Sequence, residues 1–166
     1  MPDKIEPLIE VLEKSESIYQ QLLPVFQQEK KATLSSQPDR FSAIVEEKEA
    51  LLAQLRQLDR QRHLILHQIS KVWNIPVNDL RLSTVADKIE GPQSARIRDL
   101  RMSLKGLIQM IKRSNEENRL LIQHCLDIVQ GTLGFFHQMV IPKDVYGASG
   151  RMSLHNGNGK LVSGAV

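Results

Sequence analysis

Residues 94–141 read SARIRDLRMSLKGLIQMIKRSNEENRLLIQHCLDIVQGTLGFFHQMVI, and this stretch decides the fold class. It contains no proline, and its apolar residues return every three or four positions. Ile97, Leu100, Leu104, Leu107, Ile108, Ile111, Ile122, Cys125, Val129, Leu133 and Phe136 fall along one stripe. That spacing places side chains on one face of a helix and does not suit a strand. At 1.5 Å per residue, such a helix is roughly 70 Å long. No small globular core covers a rod of that length, so other long helices must lie beside it.

The rest of the chain supplies them. Asp3 to Leu34 reads as a first helix, with Asp3 a candidate N-cap and Glu6 placed three residues on for a capping box. Ile5, Leu8, Leu12, Tyr19, Leu22, Leu23 and Phe26 make its apolar face, and that face continues past Pro24, which should kink the helix without ending it. A polar turn, Ser35-Ser36-Gln37-Pro38, precedes a second helix from Asp39 to Trp73, with proline suited to the helix start. Lys48 and Arg62 fall on or beside its stripe, where their stems can pack while their charged ends reach the edge. Asn74 to Gln93 is broken by Pro76, Gly91 and Pro92. It reads as short helical turns capping one end of the core, with Thr84 a candidate N-cap.

The expected fold is therefore all-α: an antiparallel, coiled-coil-like bundle of three long helices with a short helical connector. It occupies residues 1–141 as one domain, followed by a flexible Gly/Ser-rich C-terminal tail over residues 142–166. In such an arrangement the first and third helices begin at the same end. The acidic opening of the first (Glu6, Glu10, Glu13, Glu16) then meets the basic opening of the third (Arg96, Arg98, Arg101, Lys105). Midway along the third helix, Asn115 and Asn118 interrupt the stripe, and their expected role is to fix register between helices.

Beyond Leu120 the apolar content exceeds what one seam needs. A coiled-coil seam uses about two positions in seven, and a bundle face about three. Between Leu120 and Ile141 more than half the positions are apolar. Either this is the best-buried part of the bundle, or the surplus is covered by a partner. Gln123, His124, Asp127, Gln130, His137 and Gln138 interrupt the run and exclude a membrane span.

Composition narrows the function classes. A formal charge of +3 with few aromatics does not mark a nucleic-acid binder. The single cysteine, Cys125, forms no intrachain disulfide and reads as a packed thiol. His63 and His67 have the spacing of two metal ligands on a helix, but no third ligand or catalytic Glu accompanies them. No nucleophile, base and orienting group assemble. The expectations are no enzyme, no cofactor and no metal. With neither a signal-peptide pattern nor a membrane span, the expected location is the cytoplasm.

Three stretches carry a family likeness. They are Glu47-Lys48-Glu49-Ala50-Leu51-Leu52 with the Leu-rich run to Arg62, Asn115-Glu116-Glu117-Asn118-Arg119-Leu120-Leu121, and Val145-Tyr146-Gly147-Ala148-Ser149-Gly150 opening the tail. In this order and spacing the chain resembles the flagellar export chaperone FlgN family. The resemblance implies a cytoplasmic chaperone of the flagellar type III export route. Its partners would be hook-associated proteins (FlgK- and FlgL-like), kept from early assembly and delivered to an export gate protein (FlhA-like). On that reading Leu126, Val129, Leu133, Phe136 and Val140 would hold an amphipathic client helix. Tyr146, the sole aromatic of the tail, would contact the gate. The alternative is a self-associating coiled-coil scaffold, in which the same face is a homodimer seam. A nucleic-acid reading would rest on Arg96, Arg98, Arg101, Lys105, Lys112 and Arg113, for which a solvated basic face suffices.

Overall fold

A computed structural model describes residues 4–35 and 37–140. Every regular element among them is helical: α1 (Ile5–Leu34), α2 (Pro38–Trp73), a 3-10 turn (Val77–Asp79), α3 (Leu82–Lys88) and α4 (Pro92–Val140). The expected tail, the helix end at Ile141 and the candidate cap Asp3 lie outside the described residues.

The elements start and stop for local reasons. Lys4 is the cap position of α1 and makes no side-chain capping bond. Pro24 lies inside α1, which continues through it to Leu34. Losing one N–H bond there is offset by burial on the same face, where Leu22, Val25 and Phe26 are all buried. Proline occupies the first turn of α2, where its missing N–H costs nothing. Asn74 closes α2 in the left-handed conformation at φ 52°, and the Ser70 hydroxyl donates to the Ile75 carbonyl at 2.6 Å.

Thr84 is not an N-cap. It lies inside α3, whose cap position is Arg81, and its hydroxyl donates to the Asp79 carbonyl at 3.3 Å. Gly91, at φ 82°, makes the turn into α4 in a conformation that side chains rarely adopt. Ser94 then fastens the start of α4 to α3, donating from its buried hydroxyl to the Ala86 carbonyl at 2.6 Å.

The chain divides into two compact units, Met1–Gln123 and His124–Val166. In the first, two apolar clusters make the core. One joins the start of α1 (Ile5, Leu8, Leu12) to the end of α2 (Leu66, Ile69), the connector (Leu80, Val85, Ala86) and the start of α4 (Ile97, Leu100, Leu104). The other joins Leu22, Val25, Phe26 and Ala32 of α1 to Ile44, Leu51 and Leu58 of α2. The connector therefore closes one end of the core, as its scattered apolar residues suggest.

Polar pairs fix the register of α1 against α4. Gln93 donates to Glu6, Ser103 to Glu16 and Lys30 to Glu117, and each of these pairs is separated by 87 residues in sequence. The two helices advance together, so the acidic opening of α1 meets the opening of α4. Arg96 grips Glu13 there through Nε at 2.8 Å and a terminal nitrogen at 2.5 Å. Both side chains are largely exposed, so the contact orients more than it stabilises. At the same spacing Leu34, the last residue of α1, falls level with Leu121.

Candidate functional site

The burial of α4 changes along its length. Ile97, Leu100, Leu104 and Leu107 are buried, and Asn118 is the last α4 residue that is. The expected register pair separates here. Asn118 is inside the core, whereas Asn115 is exposed. Three residues on a helix are about 60° short of a full turn, enough to place one amide in the core and the other in water.

The Asn118 amide donates to the Phe26 carbonyl and to one oxygen of Glu29, each at 2.8 Å. The other Glu29 oxygen takes the Lys48 ammonium, which also stands 5.3 Å from the centre of the Phe26 ring. One buried carboxylate thus holds side chains from α2 and α4, and no buried side-chain polar atom among the described residues lacks a hydrogen-bond partner. The expectation for Lys48, a packed stem with its head at the edge, omitted this carboxylate. Glu29 lies seven residues after Leu22 and three after Phe26. Its place on the α1 stripe was the available signal.

Within the second unit the described residues are 124–140, all helical and part of α4. Leu126, Val129, Leu133 and Phe136 share one stripe there, as their spacing predicts, and all four are exposed. Val140 is the last residue of the helix, and its side chain is not described. Tyr146 lies outside the described residues. A second stripe, which the candidate set omitted, runs through Ile128, Phe135 and Met139. The seven side chains of the two stripes are between 49% and 66% exposed. Phe135 and Phe136, one on each stripe, meet edge to face with ring centres 6.2 Å apart. Asp127 is the one Asp, Glu, Lys or Arg from His124 to Val140.

This surface is apolar and exposed over most of its length. Cys125 is a free, half-buried thiol. His63 stands 3.5 Å from Asp59 on the same helix, and no group of three or more His, Cys, Asp and Glu among the described residues could hold a metal ion. No described helix is long and apolar enough to cross a membrane.

The family model described as FlgN protein matches residues 1–153 of the chain. No curated protein matches it. No solved structure matches it. The matched span covers both long core helices, the polar layer at Asn118, the whole of α4 and the Tyr146 segment, and on that extent the chain belongs to the FlgN family.

Proposed function

We propose that this protein is a cytoplasmic, non-enzymatic export chaperone of the bacterial flagellar type III route. In this reading it binds hook-associated proteins of the FlgK and FlgL kind, keeps them from assembling early and hands them to an FlhA-like export gate. Family membership supports the general role. The observation that carries the binding mode is the exposed apolar face at Leu126, Val129, Leu133 and Phe136. Such a face is costly to leave in water and suits an amphipathic helix laid along it.

The core lies within the first unit, before His124. Our reading of it is an antiparallel bundle of three long helices, supported by the two apolar clusters and the repeated 87-residue spacing of α1–α4 pairs. Asn118 and Glu29 hold register near the point where burial of α4 ends. Burying apolar surface stabilises a complex by about 25 cal/mol per Å², and ordering a mobile client offsets much of it. The resulting affinity is moderate, as a carrier that releases its cargo requires. Tyr146 is assigned to the gate.

The test uses the full chain, a hook-associated client and an export assay in flagellated cells. Phe136→Asp abolishes client binding. Tyr146→Ala binds client normally and delivers it poorly. Normal binding and export by both variants would overturn this division of labour.

A further inference from the structure

The apolar face of residues 124–140 is wider than one helix needs. Each residue advances about 100° around a helix, so the stripe of Leu126, Val129, Leu133 and Phe136 and the stripe of Ile128, Phe135 and Met139 are centred roughly 120° apart. Together they span about 180° of the circumference, whereas one packed helix face needs little more than about 100°. Both stripes are exposed to the same degree, with Leu133 at 63% and Met139 at 66%. The Phe135 and Phe136 rings, one from each stripe, meet edge to face with centres 6.2 Å apart, which joins the two stripes into one apolar face.

We propose that this segment takes two amphipathic helices of one client, side by side, one on each stripe. The inference rests on the chaperone reading and specifies what the client must present: a helical pair whose facing sides are apolar and carry few charges. The charge pattern of the segment fits that partner. With Asp127 the one Asp, Glu, Lys or Arg from His124 to Val140, no row of flanking charges exists to select a highly charged helix. A second copy of this chain fits less well. Two copies meeting through one self-complementary seam would cover one stripe on each and leave the other in water.

Methyl-labelled full chain, with a soluble paramagnetic agent in the buffer, reads each stripe separately. The agent relaxes the Leu133 and Met139 methyls strongly in the free protein. A saturating hook-associated client reduces that relaxation several-fold at both residues. A client lacking one of its terminal helices restores full relaxation at one of the two and not the other. Protection of Leu133 alone by the intact client overturns the two-helix inference and leaves the chaperone reading standing. Protection of both methyls already in the free chain assigns the face to a second copy or to the chain's own C-terminal residues, and also overturns it. If the client does not bind at all, the chaperone reading falls first and this inference with it.

Discussion

Asn118 of α4 donates its side-chain amide to the Glu29 carboxylate of α1 across 2.8 Å, with both residues buried. Glu29 is satisfied on both oxygens, by Asn118 and by Lys48. A buried polar group with every partner in place costs little, and the same group with a partner removed costs a great deal.

The first prediction follows from that asymmetry. Asn118→Ala should destabilise the protein by about 1–3 kcal/mol, because the Glu29 oxygen loses its donor. Glu29→Ala should cost more, about 3–5 kcal/mol, because it strands the Lys48 ammonium as well. The three-residue replacement Glu29→Leu, Lys48→Met, Asn118→Leu should recover most of the loss, since no charge is then left unpaired. Urea unfolding checks this. A triple variant no more stable than Glu29→Ala would mean that the layer contributes through something other than mutual satisfaction.

Stability and binding should separate along the chain. Leu22 is fully buried, and Leu22→Ala should cost about 2–5 kcal/mol through the cavity it leaves. Leu133 is 63% exposed, so Leu133→Ala should stay within about 0.5 kcal/mol of the parent in the same unfolding experiment. Client affinity should respond the other way, with Leu133→Ala binding several-fold more weakly. A large stability loss from Leu133→Ala would show that this face is already covered in the free chain.

The contrast between Leu22 and Leu133 also marks what the sequence could reveal. Both sit on apolar stripes of helical spacing, so element type and the facing side of each helix were legible. Periodicity says which face is apolar and says nothing about whether another helix lies against it. The apolar stripe of α4 resumes after Asn115 and Asn118 and runs on to Phe136, yet Asn118 is the last buried residue of the helix. Register resolved this, and the 87-residue spacing of the α1–α4 pairs depends on side-chain lengths and turn geometry that pattern does not encode. Thr84 shows the complementary limit. Its type suited a cap, and the αR-disfavouring choice fell instead on Arg81, three residues earlier, where the backbone is extended. Glu29 was hidden for a different reason, since a carboxylate at a core position is an exception to the pattern used to find the core.

The exposed Lys30–Glu117 pair between α1 and α4 should come apart in acid. The Glu117 carboxyl is held below the ordinary glutamate range, first by its bond from Arg113 and then by Lys30 of α1. A carboxyl with a lowered folded-state pKa contributes stability that is present above its unfolded value. That contribution is lost as the pH falls through the lowered value. Side-chain carboxyl NMR should therefore find Glu117 titrating below a typical glutamate. Arg113→Ala should move it back up, and Lys30→Ala should do so by less. Titration of Glu117 in the usual glutamate range would remove the pairing from solution. Because the residue is exposed, no measurable change in unfolding midpoint at neutral pH is expected from either substitution.

At the other end of the pH scale, Tyr19 reports on the middle of the core. It shares a cleft with Leu12, Leu55, Asp59, Arg62 and Leu104. Burial raises its phenol pKa above 10.0, the Asp59 carboxylate raises it further, and Arg62 opposes both. A folded-state value above the unfolded one gives stability that is complete below the unfolded pKa and is lost as the pH rises through the folded one. Absorbance of the phenolate should show Tyr19 ionising later than a free tyrosine, with Tyr146→Phe used to isolate its signal. Asp59→Asn should bring the transition partly back down, and Arg62→Ala should push it higher. If Asp59→Asn left the transition unmoved, the carboxylate would not be facing the phenol. The helical turn that places Asp59 four residues after Leu55 in this cleft would then need a different register against α1.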